Sequence, residues 1–294
     1  MKEERILLKS WTMFPAAVAA AKRLRGQFHD AGVTINPTSE LGALIEDSIR
    51  FSQNPLAEIS DEEGAVRAVL RGQYLDRIAK AARILQGRID AKQHLWVLKK
   101  GQVDPGSRAP SKAKDKLWEL ELLSILKDSG LSADMCEPDI TVRLSRATIA
   151  LACKRIYSPT NAESQLSIGV KQIERSKLPG LLAVCIDDLL PPYCIIDSQD
   201  AENAAIFLDN HNIDFIDCHL GQLVRYISSK RIAGVLITSS APIRHPPFFG
   251  EIASSTQMTI WTIPECDSFQ GELVEELRWS IFGRGISTDW WSAM

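Results

Sequence analysis

The chain has 294 residues, 45% of them hydrophobic and 24% charged, an ordinary globular composition with length for one large domain or two modest ones. A net charge of -3 excludes global polyelectrolyte attraction for nucleic acid, so such binding needs a local patch, and a pure nucleic-acid coat protein is disfavoured. No apolar run approaches the roughly 20 residues of a membrane helix.

The opening Met1-Lys2-Glu3-Glu4-Arg5 lacks the charged-then-apolar design of a secretory signal. Cys136, Cys153, Cys185, Cys194, Cys218 and Cys266 are scattered, without a C-x-x-C pair, and read as mostly buried, reduced thiols. The expectation is a cytoplasmic protein with no membrane partner.

In chain order, residues 1–105 read as an all-helical domain. A helix from Pro15 to His29 has proline in its first turn and Gly32 beyond its end, and another follows Ser39. Ser60-Asp61-Glu62-Glu63 is a capping box that starts a third. From there Val66, Val69, Leu70, Tyr74, Ile78, Ala81, Ala82 and Leu85 make an apolar stripe at helical spacing. Gly101 to Ser111 is rich in breakers and reads as a linker, made basic by Lys99, Lys100, Arg108, Lys112, Lys114 and Lys116. It is expected to be a solvated segment, with a phosphate-contacting edge as the alternative.

Residues 112–294 read as an α/β domain with a mixed sheet flanked by helices. A helix from Lys112 to Asp128 precedes extended runs at 140–144 and 147–153. Then come a helix at 162–176, a strand at 181–186, helices at 201–210 and 217–229, and strands at 234–238 and 258–263. If Ser145-Arg146 turns a hairpin, Leu144 pairs with Ala147 and Asp139 falls opposite Ala152. Alternation then points Ala150, Ala152 and Lys154 to one face and Ile149, Leu151 and Cys153 to the other.

Carboxylate and lysine together suit phosphodiester hydrolysis, in which a cation neutralises phosphate charge and a lysine orients water. Pro138-Asp139, followed by Ala152-Cys153-Lys154-Arg155, resembles the two half-motifs of the PD-(D/E)xK, restriction-endonuclease-like nucleases. The resemblance covers about 75 residues. It implies a core of helix, three strands, helix and strand, a Mg2+ or Mn2+ cofactor, and a nucleic-acid substrate, DNA favoured over RNA. By the same resemblance Glu119, Asp139, residue 152, Lys154 and Gln172 are the catalytic positions, and Asp139, residue 152, Cys153 and Glu119 are those that hold metal. Glu119 is preferred to Glu121 because Trp118, Leu122 and Ile125 mark the buried face of their helix.

Ala152 departs from that pattern, because an alanine cannot ligate a cation. The expectation is a magnesium-dependent nuclease whose carboxylate at 152 has been replaced, leaving this chain inactive. A natural pseudo-enzyme, or a carboxylate moved to Glu137, Glu163 or Glu174, remains open. The alternative function is a non-catalytic nucleic-acid-binding or scaffolding protein. The helical domain would serve homo-oligomerisation, a protein partner or substrate selection, and two-part nucleases of this kind resemble effectors of bacterial anti-phage defence.

His211 and His219, near Asp209, Asp214, Asp217 and Cys218, follow no zinc spacing and read as a polar surface. His245 lies in a stiff loop, and Trp290-Trp291 close the chain as aromatics that fold back on the domain. No P-loop, G-x-G-x-x-G or G-x-S-x-G occurs.

Overall fold

The computed structural model describes residues 14–53, 62–198, 201–244, 252–264 and 266–283. Ser60, Asp61, His245, Trp290 and Trp291 lie outside them.

Four helices build the first part: α1 (Phe14–Asp30), α2 (Glu40–Gln53), α3 (Glu62–Ala82) and α4 (Ala91–Lys100). Ala17, Ala20, Ala21, Leu24 and Phe28 recur at helical spacing on α1 and are all buried. The helix stops where Gly32 takes φ 67°, and the Val33 N–H closes back on the Phe28 carbonyl at 2.8 Å. Leu41, Leu44 and Ile45 of α2 and Leu75 and Ile78 of α3 complete the inner face, each fully buried leucine or isoleucine contributing about 1.5–3 kcal/mol.

The segment expected to be a solvated linker is anchored instead. Val103 is buried, Arg108 reaches Asp188 at 3.2 Å, and Ser111 is a buried cap whose hydroxyl accepts the Ala113 N–H at 3.2 Å. Lys114 has no exposed surface and Lys116 pairs with Glu119. Of the six basic residues of this stretch, only Lys99, Lys100 and Lys112 remain free of such internal pairs with acidic groups among the described residues.

α5 (Lys112–Asp128) leads into an α/β/α sandwich. Ala113, Leu117 and Leu120 of α5 join the helical core, whereas Trp118, Leu122, Leu123 and Leu126 pack on the sheet. Strands β1 (Ser132–Cys136), β2 (Asp139–Arg143) and β3 (Thr148–Arg155) are antiparallel. α6 (Pro159–Ser176) then crosses over to β4 (Gly180–Cys185), parallel to β3. β5 (Ile196–Asp197), α7 (Ala201–Cys218), α8 (Leu220–Ser228), β6 (Gly234–Arg244), β7 (Ile252–Trp261) and α9 (Ser268–Phe282) follow. The seven-stranded sheet runs β1-β2-β3-β4-β6-β5, with β7 antiparallel along β6. α5 and α9 cover one face; α6, α7 and α8 cover the other.

The hairpin register is the one its turn implies: the Leu144 N–H bonds the Ala147 carbonyl at 2.9 Å, and Ile140 pairs with Leu151. Other expectations need correction. Periodicity marks neither β1 nor α9, although the resemblance implies a third strand beside β2 and β3; β6 runs on to Arg244, and the helix expected at 201–210 continues to Cys218. The six cysteines are free thiols, but only Cys153 and Cys185 are buried, and Cys136 and Cys218 are exposed. Among the described residues no helix is long and apolar enough to cross a membrane.

Candidate active site

A two-residue turn, Glu137-Pro138, joins β1 to β2, so that Cys136 pairs with Asp139 and Asp139 is the first residue of its strand. β3 is longer, and its last residues run past that start. The N–H of Cys153 there has no strand carbonyl to meet, and donates instead to Asp139 Oδ2 at 2.8 Å. Lys154 Nζ stands 3.7 Å from the same oxygen and donates to the Cys153 carbonyl at 2.8 Å. Its aliphatic stem lies against α6 at Gly169, where an added Cβ would sit 3.2 Å from Lys154 Cγ.

Glu119 arrives from α5. It is mostly buried, pairs with Lys116 one turn before it, and feels the charges of Asp139 and Lys154. Burial raises the Glu119 carboxyl above the ordinary range; Lys116 opposes that shift and the Asp139 charge adds to it. Asp139 is also raised by burial, against the pull of Lys154 and the Cys153 N–H. Burial, with Asp139 and Glu119 beside it, drives the Cys153 thiol well up, so it is a neutral thiol rather than a nucleophile. Asp139 of β2 and Lys154 of β3 thus face each other, and the Lys116–Glu119 pair of α5 lies within electrostatic reach of them.

Residue 152 does not open onto a void. The Ala152 methyl has no exposed surface and is enclosed in an apolar cluster with Leu166, Val170 and Leu182, because α6 packs down on this stretch of β3. Gly169 permits that approach: a Cβ on it would run into Leu182 Cδ1.

The other candidates separate clearly. Glu121 pairs with Arg77 at the seam with α3, away from Lys116 and Glu119. Gln172 lies on α6 beside Ile173, whose side chain borders Gly180 at the opposite end of the β3–β4 pair, and its buried Oε1 has no hydrogen-bond partner. Glu174 pairs with Arg231 at 2.6 Å and Glu163 is exposed, whereas Glu137 is near enough to raise the Asp139 carboxyl. His219 stacks at 4.7 Å on Phe215, and Asp209 accepts from Thr259 at 2.7 Å. Sequence reasoning passed over Lys116 as part of this site; its signal was the Lys116/Glu119 spacing of one helical turn.

Two oxygen donors suited to a hard cation, Asp139 Oδ2 and the Cys153 carbonyl, converge on Lys154 Nζ. Ala152 adds no third donor, and among the described residues no group of three or more His, Cys, Asp and Glu is arranged to hold a metal ion. The residues present therefore do not complete a divalent-cation site, and the ammonium of Lys154 supplies the positive charge there. Comparison of the chain with protein-family models, with curated proteins and with solved structures gives no match.

Proposed function

We propose that this is the site of a Mg2+- or Mn2+-dependent nuclease, disabled by alanine at position 152, with nucleic acid as its substrate and DNA favoured over RNA. The observation that carries the reading is the meeting of Asp139 and Lys154 at 3.7 Å, joined by Glu119 from α5. The order α5, β1, β2, β3, α6, β4 agrees with the core that the PD-(D/E)xK resemblance implies.

With a carboxylate restored at position 152, that group, Asp139 and the Cys153 carbonyl would hold a divalent cation, which would supply charge neutralisation at the phosphate. The chain's own residues would do the rest. Lys154 stabilises charge on the phosphate, Asp139 and Glu119 supply fixed negative charge, and Lys116 restrains Glu119. Water adds to phosphorus as one P–O ester bond breaks, and the leaving oxygen takes up a proton. In the alanine form the Lys154 ammonium occupies the convergence of oxygen donors, so this form binds substrate without cutting it. Lys99 and Lys100 lie 4.6 and 4.4 Å from the ring of the exposed Trp96 on α4, a cationic and aromatic surface suited to a phosphate backbone. The helical layer is the part available for a second copy or a protein partner.

Restoring Ala152→Glu and assaying DNA and RNA with Mg2+ or Mn2+ tests this. The restored chain should cleave at least about 100-fold faster than the alanine form, the scale of losing one preorganised charge-stabilising group. Failure of both forms to cleave, with no cation bound by either, would sink the nuclease reading. The enclosure of the Ala152 methyl favours a second reading, a non-catalytic nucleic-acid-binding scaffold. On that reading both forms bind nucleic acid equally and the restored form gains no cation site.

A further inference from the structure

A second charged assembly lies where β3 and β4 end beside the middle of β6, apart from Glu119, Asp139 and Lys154. Asp187 and Asp188 follow β4 directly and are both buried. Asp188 receives Arg155 Nε at 2.5 Å, Arg108 at 3.2 Å and Lys114 at 3.4 Å. Asp187 receives Arg77 at 2.8 Å and the Ser240 N–H at 2.8 Å, and Arg77 also pairs with Glu121. Four basic side chains (Arg77, Arg108, Lys114, Arg155) thus face three acidic ones (Glu121, Asp187, Asp188), with Asp115 near enough to feel Arg155 and Asp188.

Beside this assembly is a cavity of about 80 Å³, several times what one water needs, bordered by Tyr74, Arg77, Arg108, Arg155, Tyr193 and Ala241. Tyr74 and Arg155 are 7% and 6% exposed. The Tyr74 hydroxyl, Arg155 Nη1 and Arg108 Nε are all buried without a hydrogen-bond partner. Buried polar atoms are nearly always satisfied, because one left bare keeps the full cost of losing its water. Three residues of one cavity wall, which Asp187 also lines, each carry a bare hydrogen-bond donor, and two of them are guanidinium groups, a combination that calls for an acceptor bearing negative charge. The walls are firmly made. Tyr193 holds φ 53° and donates to Asp104 at 3.2 Å, and its ring lies so close to Gly106 that a Cβ there would strike it.

We propose that this cavity binds one small phosphate-type oxyanion, held by Tyr74, Arg108 and Arg155 at the seam between the helical layer and the sheet. Two guanidinium groups and a phenol match the several acceptor oxygens of such an ion, and the cavity volume suits the ion better than a whole nucleotide. The ion is either free phosphate or the terminal group of a phosphomonoester. The inference does not depend on the nuclease reading.

Calorimetric titration of the full chain with inorganic phosphate, and separately with AMP, tests it. Saturable binding of one phosphate per chain is expected, with a rise in thermal midpoint, since a ligand of the folded state alone stabilises it. Tyr74→Phe, which keeps the ring, should weaken binding by about fivefold or more, the worth of one hydrogen bond. Ala241→Val, which adds bulk at the cavity wall and removes no donor, should weaken it as well, and far-UV circular dichroism confirms that both variants fold. AMP binding that responds to the same two variants assigns the site to a phosphomonoester, and phosphate binding without AMP binding assigns it to the free ion. The proposal is overturned by no saturable binding of either, which means a water-filled cavity. It is equally overturned by binding that survives both Tyr74→Phe and Ala241→Val.

Discussion

Asp139 accepts one backbone N–H and faces one ammonium, yet burial still raises its carboxyl above the ordinary range, and Glu119 behaves alike. A carboxyl raised on folding holds its proton more tightly in the native state, so it contributes stability at low pH that is lost as pH rises through the raised folded pKa. The two residues therefore weaken the fold at neutral pH, a cost characteristic of sites kept for chemistry. Asp139→Asn keeps an oxygen for the Cys153 N–H and removes the buried charge. It should leave stability at pH 7 unchanged or raised by up to about 1 kcal/mol, and flatten the fall in thermal midpoint between mild acid and neutrality. In the Ala152→Glu background the same change should abolish cleavage. Asp187 has the opposite sign: burial raises it, but Arg77 and Arg155 more than reverse this, so its contribution is lost only as pH falls below the usual carboxylate range.

At the scale of elements, α6 sets how closely Lys154 is held. Gly169→Ala gains helix propensity of about 1 kcal/mol on an exposed helix, but here the new methyl meets Leu182 and the Lys154 stem. Overpacking should prevail, with a net loss of about 1–3 kcal/mol in denaturant unfolding and a displaced lysine that lowers activity in the Ala152→Glu background. The β2–β3 hairpin was legible because a two-residue turn and strict alternation fix its register, and that register alone brings Asp139 level with residue 152. β1 was hidden by its sequence: Ser132-Ala133-Asp134-Met135-Cys136 is an edge strand with a single buried residue, too polar for a periodicity argument. α9 did carry a signal, since Asp267 caps the Phe269 and Gln270 N–H groups and Leu273, Val274 and Leu277 follow at helical spacing. What could not be read was the enclosure of Ala152, which depends on how deeply a helix distant in sequence packs against β3.

For the molecule as a whole, the least legible feature is the buried charge at the seam. The pair Asp187-Asp188 stands inside the apolar run Val184 to Leu190, a conspicuous placement, but its partners Arg77, Arg108, Lys114 and Arg155 lie between 32 and 110 positions away. Asp188→Ala would leave three cations facing one another and should cost about 3–5 kcal/mol, the penalty for a broken buried pair. Limited proteolysis should then cut first within residues 101–110, released from Asp188 through Arg108. The helical layer and the sheet also share α5, whose two sides belong to two different cores. No cut made on either side of that helix yields a self-sufficient half: a fragment starting at Lys112 would present Ala113, Leu117 and Leu120 to water, and one ending before it would leave its own interior uncovered. α5 is thus a party wall, and because Glu119 is built into it, whatever grips the helical layer has a solid rod leading to the buried charges beside Asp139 and Lys154.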